Sequence, residues 1–120
     1  MASVVVRRSE QWVWAAAILS FGCLTGPTLN ADDLPNIAVT LKDHQFTPSE
    51  IHVPQGKPVT LRITNADPTP EEFDSSALKV EKVIVGGTYG IVRLPPLGPG
   101  RYPFMGEYHS DTAKGVVISE

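Results

Sequence analysis

The residues best suited to chemistry in this 120-residue sequence lie near its carboxyl terminus, where Met105, Glu107 and His109 alternate with other side chains. In an extended chain, side chains two residues apart point the same way, so an extended segment would present these three together. Imidazole and carboxylate suit Cu(II), iron or Zn(II), whereas a thioether favours Cu(I). A solvated hairpin end has a similar composition, so a metal site here needs ligands from elsewhere.

Two further acidic groups could supply such ligands. Glu71, Glu72 and Asp74 lie at the start of a predicted strand, and Glu81 lies between two lysines. Each group also has an ordinary interpretation. Acidic side chains at a strand start commonly serve solubility alone, and a glutamate flanked by lysines commonly forms a surface ion pair of small energetic value.

Several other kinds of site are excluded by the residues that are absent. Cys23 is the sole cysteine and lies in an amino-terminal apolar run, so the remainder has no thiolate ligand, thiol nucleophile or disulfide. The glycines at 86 and 87 lack the strand-to-helix context of a nucleotide site. By default, His44 and His52 are surface histidines at strand ends.

The elements that must position these residues are short strands. Alternating apolar and polar residues predict strands at 36–42 and 59–64. Between the turns, the sequence predicts a short extended piece at 71–75 and strands at 78–85, 89–94, 101–105 and 115–119, with a short strand or bend between Phe46 and Ile51. Eleven prolines and closely spaced turns disfavour a helical bundle or an α/β unit. The sequence therefore predicts an all-β fold of seven to eight short strands, a Greek-key β-sandwich or small barrel.

The first 31 residues differ from the rest in composition. Arg7 and Arg8 precede an apolar run at 12–24, the pattern of an export signal, and uncleaved anchoring is the alternative. We therefore expect residues 32–120 to form one domain that is periplasmic or otherwise exported. Acidic residues outnumber basic ones, with a net charge of −3 for the whole chain, which disfavours nucleic acid as a partner.

Three long segments carry a family resemblance. They are LKDHQFTPSEIHVPQGKPVTLRITN at 41–65, TPEEFDSSALKVEKVIVGG at 69–87 and LPPLGPGRYPFMGEYHSDTAKGVV at 94–117. Over nearly its whole length after residue 31, the chain resembles the cupredoxin-like domains of bacterial periplasmic systems that take up ferrous iron. The resemblance implies a metal site lined by Glu72, Glu81, Glu107 and His109, with Met105, Asp74 and Asp111 nearby and Asp43 and His44 as contributors from the first sheet.

The sequence departs from the blue-copper members of that fold. Such proteins would place a histidine two residues before Phe73, a cysteine three before His109 and a methionine just before Gly115. Here the corresponding residues are Glu71, Gly106 and Ala113. Without a thiolate, a blue electron carrier is disfavoured, and carboxylates favour Cu(II) or Fe(III) over the reduced ions.

Strand parity leaves one ligand open. If Phe73 faces the core, a regular strand places Glu71 beside it and turns Glu72 and Asp74 to the other face. Either Glu71 or Glu72 can therefore be the ligand at this stage.

The resemblance implies a periplasmic protein of iron uptake that binds copper or iron and oxidises Fe(II) to Fe(III), as a copper-dependent ferroxidase, for an inner-membrane permease or a periplasmic iron-binding protein. One alternative is a non-catalytic β-sandwich subunit of a transport complex. Another is a copper chaperone that holds Cu(I) through Met105 and His109. Enzymatic turnover, its electron acceptor and the oligomeric state are open at this point.

Overall fold

The computed structural model describes residues 34–120. Nine strands follow one another in this part of the chain, namely β1 (Asn36–Lys42), β2 (Gln45–Thr47), β3 (Glu50–Val53), β4 (Val59–Asn65), β5 (Glu71–Ser75), β6 (Val80–Ile84), β7 (Tyr89–Leu94), β8 (Gly100–Gly106) and β9 (Lys114–Ser119). A short 3₁₀ helix at Glu107–His109 lies between β8 and β9. The segment predicted as an export signal or apolar anchor, residues 1–31, lies outside the described residues.

The strands form two sheets that pack face to face. One has the order β2-β1-β4-β7, and the other has the order β3-β9-β8-β5-β6. Most neighbours are antiparallel, but β1 runs parallel to β4 and β3 runs parallel to β9. The predicted all-β sandwich is therefore confirmed. The number of strands was underestimated, because the expected single strand or bend between Phe46 and Ile51 is two strands, one in each sheet, separated by Pro48 and Ser49.

The core lies between the sheets and is built by the alternation that the sequence displays. On β4, for example, Val59, Leu61 and Ile63 are buried while the residues between them are more exposed. Three phenylalanine rings, at 46, 73 and 104, pack against one another with centroids 4.9–6.1 Å apart. Burying each such side chain contributes about 1.5–3 kcal/mol, so these rings hold the two sheets together.

The connections at one end of the sandwich carry the residues of interest. They are the turn between β1 and β2, the loop between β4 and β5, and the segment between β8 and β9. Strand directions bring all three together, since β1 and β4 are parallel and β5 begins where β8 ends. Within residues 34–120, no helix has the length and apolar character needed to cross a membrane.

Candidate metal centre

His44, Glu71 and His109 converge at this end of the sandwich and are called the metal triad below. One potential ligand atom from each residue lies within 4.8 Å of the others. The two imidazole rings stack, with centroids 3.5 Å apart and planes inclined by 12°. Each residue comes from a different connection or strand end, so the complete fold is needed to assemble the triad.

Glu71 is the buried member of the triad, with 2% of its surface exposed. Its Oε1 accepts hydrogen bonds from the backbone amides of Glu72 at 3.1 Å and Tyr108 at 2.9 Å. Its Oε2 accepts a hydrogen bond of 2.5 Å from His109 Nδ1. One carboxylate oxygen is thus anchored to the backbone while the other faces the imidazole, so Glu71 can offer a metal one oxygen without losing its anchor.

His44 owes its position to the tight turn that joins β1 to β2. Asp43 and His44 both have positive φ angles, 52° and 57°, as the two-residue type I′ hairpin turn requires. The carboxylate of Asp67 accepts hydrogen bonds from the Asp43 amide at 2.7 Å and the His44 amide at 3.0 Å. This buried acid, provided by the loop before β5, therefore fixes the turn that presents the His44 ring.

Asp67 is itself held by Asn65, the buried last residue of β4. The Asn65 side-chain amide donates to the carbonyl groups of Thr69 and Ile84, and its oxygen accepts from the Asp67 amide. Hydrogen bonds from the His44 and Asp43 amides lower the pKa of Asp67 below its ordinary 3.8, although burial alone would raise it. The nearby side chains of His44 and His109 also lower this pKa. Asp67 is thus ionised at neutral pH, and its negative charge lies beside the His44 end of the triad.

His109 lies at the end of the 3₁₀ helix, which corrects the expectation of an extended segment. Because Glu107–His109 is helical, Glu107 and His109 do not point the same way. The His109 carbonyl accepts from the Ala113 amide at 2.8 Å, and the Gly106 amide bonds to the Ala113 carbonyl at 2.8 Å. These bonds close the loop at its base and direct His109 towards Glu71.

The other acidic residues of the sequence prediction face away from the triad. Strand β5 has alternating burial, with Glu71 and Phe73 inside, so the parity expectation is confirmed and Glu71, not Glu72, approaches the histidines. Asp74 pairs with Glu81 on one neighbouring strand and with Met105 on the other. The outer side of the sheet therefore carries a second group, called the acidic face below. It consists of Glu72, Asp74, Glu81 and Glu107.

The acidic face affects the ionisation of Glu72. Partial desolvation and the neighbouring carboxylate of Glu107, followed by Glu81 and Asp74, raise the pKa of Glu72 above its ordinary 4.5. The charged form of Glu72 is therefore less favourable here than in a fully solvated glutamate.

The remaining predicted site residues lie at the margins. Met105 is 41% exposed on the outer side beside Asp74, and Asp111 is exposed in the loop after His109. Asp43 contributes its backbone amide to the turn, as described above. The structure therefore brings His44 and His109 of the predicted set together with Glu71, and it places Glu72, Glu81, Glu107, Asp74, Met105 and Asp111 outside the triad.

The sequence prediction missed two contributions. Asp67 is absent from the predicted set, although a two-residue turn at Asp43 and His44 leaves two backbone amides that need an acceptor. Gly106 and Ala113 were noted for the ligands they replace, but not for their small size. Alternation in the strands carries no signal for such contacts between distant loops.

The chemistry of the triad fits a transition metal. His44 Nδ1 is buried and, within residues 34–120, has no hydrogen-bond partner, with the nearest Asp67 carboxylate oxygen 3.4 Å away. Three donors spaced evenly around one ion at about 2.0–2.2 Å lie at most about 3.8 Å from one another, so atoms within 4.8 Å must move closer together. The stacked imidazole rings must also turn, because the lone pair of a ring nitrogen lies in the plane of its ring. A cation bound at His44 Nδ1 would give this nitrogen a partner, and Asp67, which accepts from the Asp43 and His44 amides, would hold the turn that presents the ring.

Comparison with known proteins agrees with this description. Residues 12–119 match the family described as Cupredoxin-like domain. A protein of Rickettsia prowazekii (strain Madrid E) described as uncharacterized is 40% identical over 93 residues, which are 78% of this chain and 74% of that protein.

Solved structures agree on the fold. The metal binding domain of the Cu(I) exporting P-type ATPase CopA from Streptococcus pneumoniae D39 has a TM-score of 0.64 at 18% identity, covering 71% of this chain and 84% of that one. Auracyanin A, a "blue" copper protein from Chloroflexus aurantiacus, has a TM-score of 0.61 at 15% identity, covering 71% of this chain and 98% of that one. By its family match and its fold, this chain belongs to the cupredoxin-like domain family.

Proposed function

We propose that this protein is an exported metal-binding protein that holds Cu(II) at the metal triad. The observation that carries the proposal is the convergence of His44, Glu71 and His109, with ligand atoms within 4.8 Å and a buried imidazole nitrogen that lacks a hydrogen-bond partner. Buried polar groups are costly to leave unpaired, so a nitrogen in this state next to a carboxylate and a second imidazole is suited to coordination.

The donor set favours copper in its oxidised form. Two imidazoles and one carboxylate suit Cu(II), and no thiolate is present after residue 31 to favour Cu(I). The copper named for the Streptococcus domain and for auracyanin A supports copper as the metal. The copper-chaperone alternative needs Met105 beside His109, but Met105 lies with Asp74 on the outer side of the sheet, whereas Glu71 and its His109 partner lie on the buried side.

Our finer proposal is oxidation of Fe(II) to Fe(III) in iron uptake, with a membrane permease or an iron-binding protein as recipient. Support comes from the sequence resemblance and from the position of the acidic face. Glu72 and Tyr108 donate their amides to Glu71, so the backbone next to Glu72 and Glu107 directly contacts the triad. Copper held by His44, Glu71 and His109 would supply one-electron redox chemistry for Fe(II) oxidation, with dioxygen or a partner protein as the final electron acceptor.

Titration of the metal-free protein with Cu(II), followed by calorimetry and electron paramagnetic resonance, tests the triad. His44→Ala, Glu71→Gln and His109→Ala should each weaken binding by more than about 10-fold, because even partners outside the coordination shell change metal affinity by about 10–100-fold. His52→Ala is the matched control, since this exposed histidine pairs with Glu120 away from the triad. Equal affinity in all four variants would contradict the proposed site.

Iron oxidation has a separate test. The copper-loaded protein is mixed with Fe(II) in air, and Fe(III) is captured by a colour-forming chelator. Glu72→Gln and Glu81→Gln should slow oxidation while Cu(II) affinity is kept, because neither side chain belongs to the triad. Glu50→Gln, an exposed glutamate on β3, is the control. A rate that does not depend on copper would rule out the finer proposal.

A second candidate function is a subunit that docks without a metal. It is favoured by the Glu71 carboxylate, whose two oxygens already accept three hydrogen bonds in the metal-free protein. Stability distinguishes the two candidates. A metal-binding protein at 100 times its dissociation constant gains about 2.7 kcal/mol of unfolding free energy, whereas a docking subunit gains none on addition of Cu(II).

A further inference from the structure

Gly106 is the residue from which the inference starts. It ends β8 and is buried, and its backbone angles are φ −89° and ψ 107°. These angles are open to any amino acid, so the backbone conformation does not require glycine here. The reason for glycine must therefore lie in the space around its α-carbon.

That space is filled by the Glu71 carboxylate. A methyl carbon added to Gly106 would lie 2.7 Å from Glu71 Cδ, 2.9 Å from Glu71 Oε1 and 2.8 Å from Ala113 Cβ. Non-bonded carbon atoms prefer about 3.5–4.0 Å, so the added carbon and the carboxylate cannot both keep their places. Ala113, with no exposed surface, is the other small residue that lines this space.

The carboxylate cannot move aside without loss. Its Oε1 holds the amides of Glu72 and Tyr108, and its Oε2 holds His109 Nδ1. Displacement would leave these amides without their acceptor and would separate the acid from the imidazole. A buried amide that loses its acceptor bears the full cost of desolvation.

We propose that Gly106 is a positioning residue for the metal triad. Because Gly106 has no side chain, the carboxylate of Glu71 can occupy the adjacent volume and serve as a one-oxygen ligand. The inference rests on the proposed function of that triad. Gly106 touches no metal, and its effect passes through Glu71. Adding one methyl group should therefore remove the anionic ligand while both histidines remain.

A double-mutant cycle on the metal-free protein tests the contact. Gly106→Ala should lower the urea midpoint in the wild-type background, and the loss should be smaller in the Glu71→Ala background, where one of the two close contacts of the added carbon is removed. The Ala113→Gly background removes the other contact, at 2.8 Å, and should also reduce the loss, but the part that comes from Glu71 should persist. An equal loss in the wild-type and Glu71→Ala backgrounds, or a loss that only Ala113→Gly removes, would overturn the proposal.

Two further measurements separate positioning from a general defect. In nuclear magnetic resonance spectra of the metal-free protein, the Glu72 and Tyr108 amide signals should shift alike in Gly106→Ala and Glu71→Ala, because both lose the Oε1 acceptor. Cu(II) affinity should fall by about 10–100-fold in Gly106→Ala and no further in the double variant. Gly98→Ala is the control, since its added carbon would lie 3.9 Å from the nearest side-chain atom.

The outcomes distinguish this proposal from the proposed function. If Glu71→Ala leaves Cu(II) affinity unchanged, the triad is not the metal site and Gly106 positions no ligand. If Glu71→Ala weakens binding but Gly106→Ala keeps wild-type affinity and amide signals, the function stands and the role of Gly106 is refuted.

Discussion

Replacing Asp67 by alanine should destabilise the turn between β1 and β2 that carries His44. The carboxylate accepts two backbone hydrogen bonds, at 2.7 and 3.0 Å, from a turn in which both central residues have positive φ. Hydrogen bonds to a charged acceptor contribute about 1.5–3 kcal/mol each. Because the turn is partly exposed, we take the lower value, which gives a loss of about 3 kcal/mol for the pair.

In a domain of this size, each kcal/mol shifts the midpoint of thermal unfolding by about 4–8 °C, so the expected decrease for Asp67→Ala is about 12–24 °C. Asp67→Asn retains one acceptor oxygen and should lose about half as much. Cu(II) affinity should also decrease by about 10–100-fold, since the His44 ring is no longer oriented. The assay is thermal and urea unfolding of the metal-free protein, followed by Cu(II) titration.

The pH dependence of the Asp67→Ala effect follows from the lowered pKa of Asp67. A carboxylate whose pKa is lower in the folded protein stabilises it fully above the ordinary value of 3.8 and loses that effect as the pH falls through the lowered value. The difference between wild type and Asp67→Ala should therefore be constant at neutral pH and shrink in strong acid. Asp111→Ala, an exposed acid in the neighbouring loop, is the control. Equal unfolding midpoints for the two variants at pH 7 would refute the reasoning.

Three further predictions concern other parts of the molecule. Glu72→Gln should raise the thermal midpoint of the metal-free protein at pH 7 but not at pH 4. Desolvation and the neighbouring carboxylates raise the pKa of Glu72, so its charged form destabilises the fold only as the pH rises above 4.5; equal effects at both pH values would contradict this. Gly115→Ala should destabilise the fold by about 1–3 kcal/mol or more in urea, since the added carbon would overlap the Phe104 ring, whereas Gly98→Ala should be nearly neutral. The Cu(II)-loaded protein should lack the intense visible absorption of a copper–thiolate bond. Observation of this absorption band would show that copper uses a ligand outside the triad.

The sandwich was largely predictable because its strands obey a simple period. Strands β1, β5 and β7 have the predicted bounds, and in β1 these bounds coincide with an alternation of apolar residues. The first error concerned Phe46 and Ile51, where two short strands belong to different sheets. Each is too short for its period to be recognised, and the division depends on pairing with β1 and β9, which are distant in sequence.

The site was less predictable because its geometry depends on loops. Parity correctly placed Glu71 beside Phe73, but it could not show that His109 follows a helical turn and reaches Glu71 from β8. His44 was expected to be a surface residue by default. Its position depends on Asp67, more than twenty residues further along the chain, and a hydrogen bond between loops leaves no periodic pattern in a sequence.

The close contact between Gly106 and Glu71 also restricts how a protein of this kind can change over time. A side chain at position 106 and a glutamate at position 71 compete for the same volume. A lineage that passes between a carboxylate centre and a thiolate centre would therefore tolerate the substitutions in one order more readily than in the other. Loss of the glutamate at position 71 before gain of a cysteine at position 106 avoids the close contact, and in the reverse passage earlier loss of the cysteine avoids it.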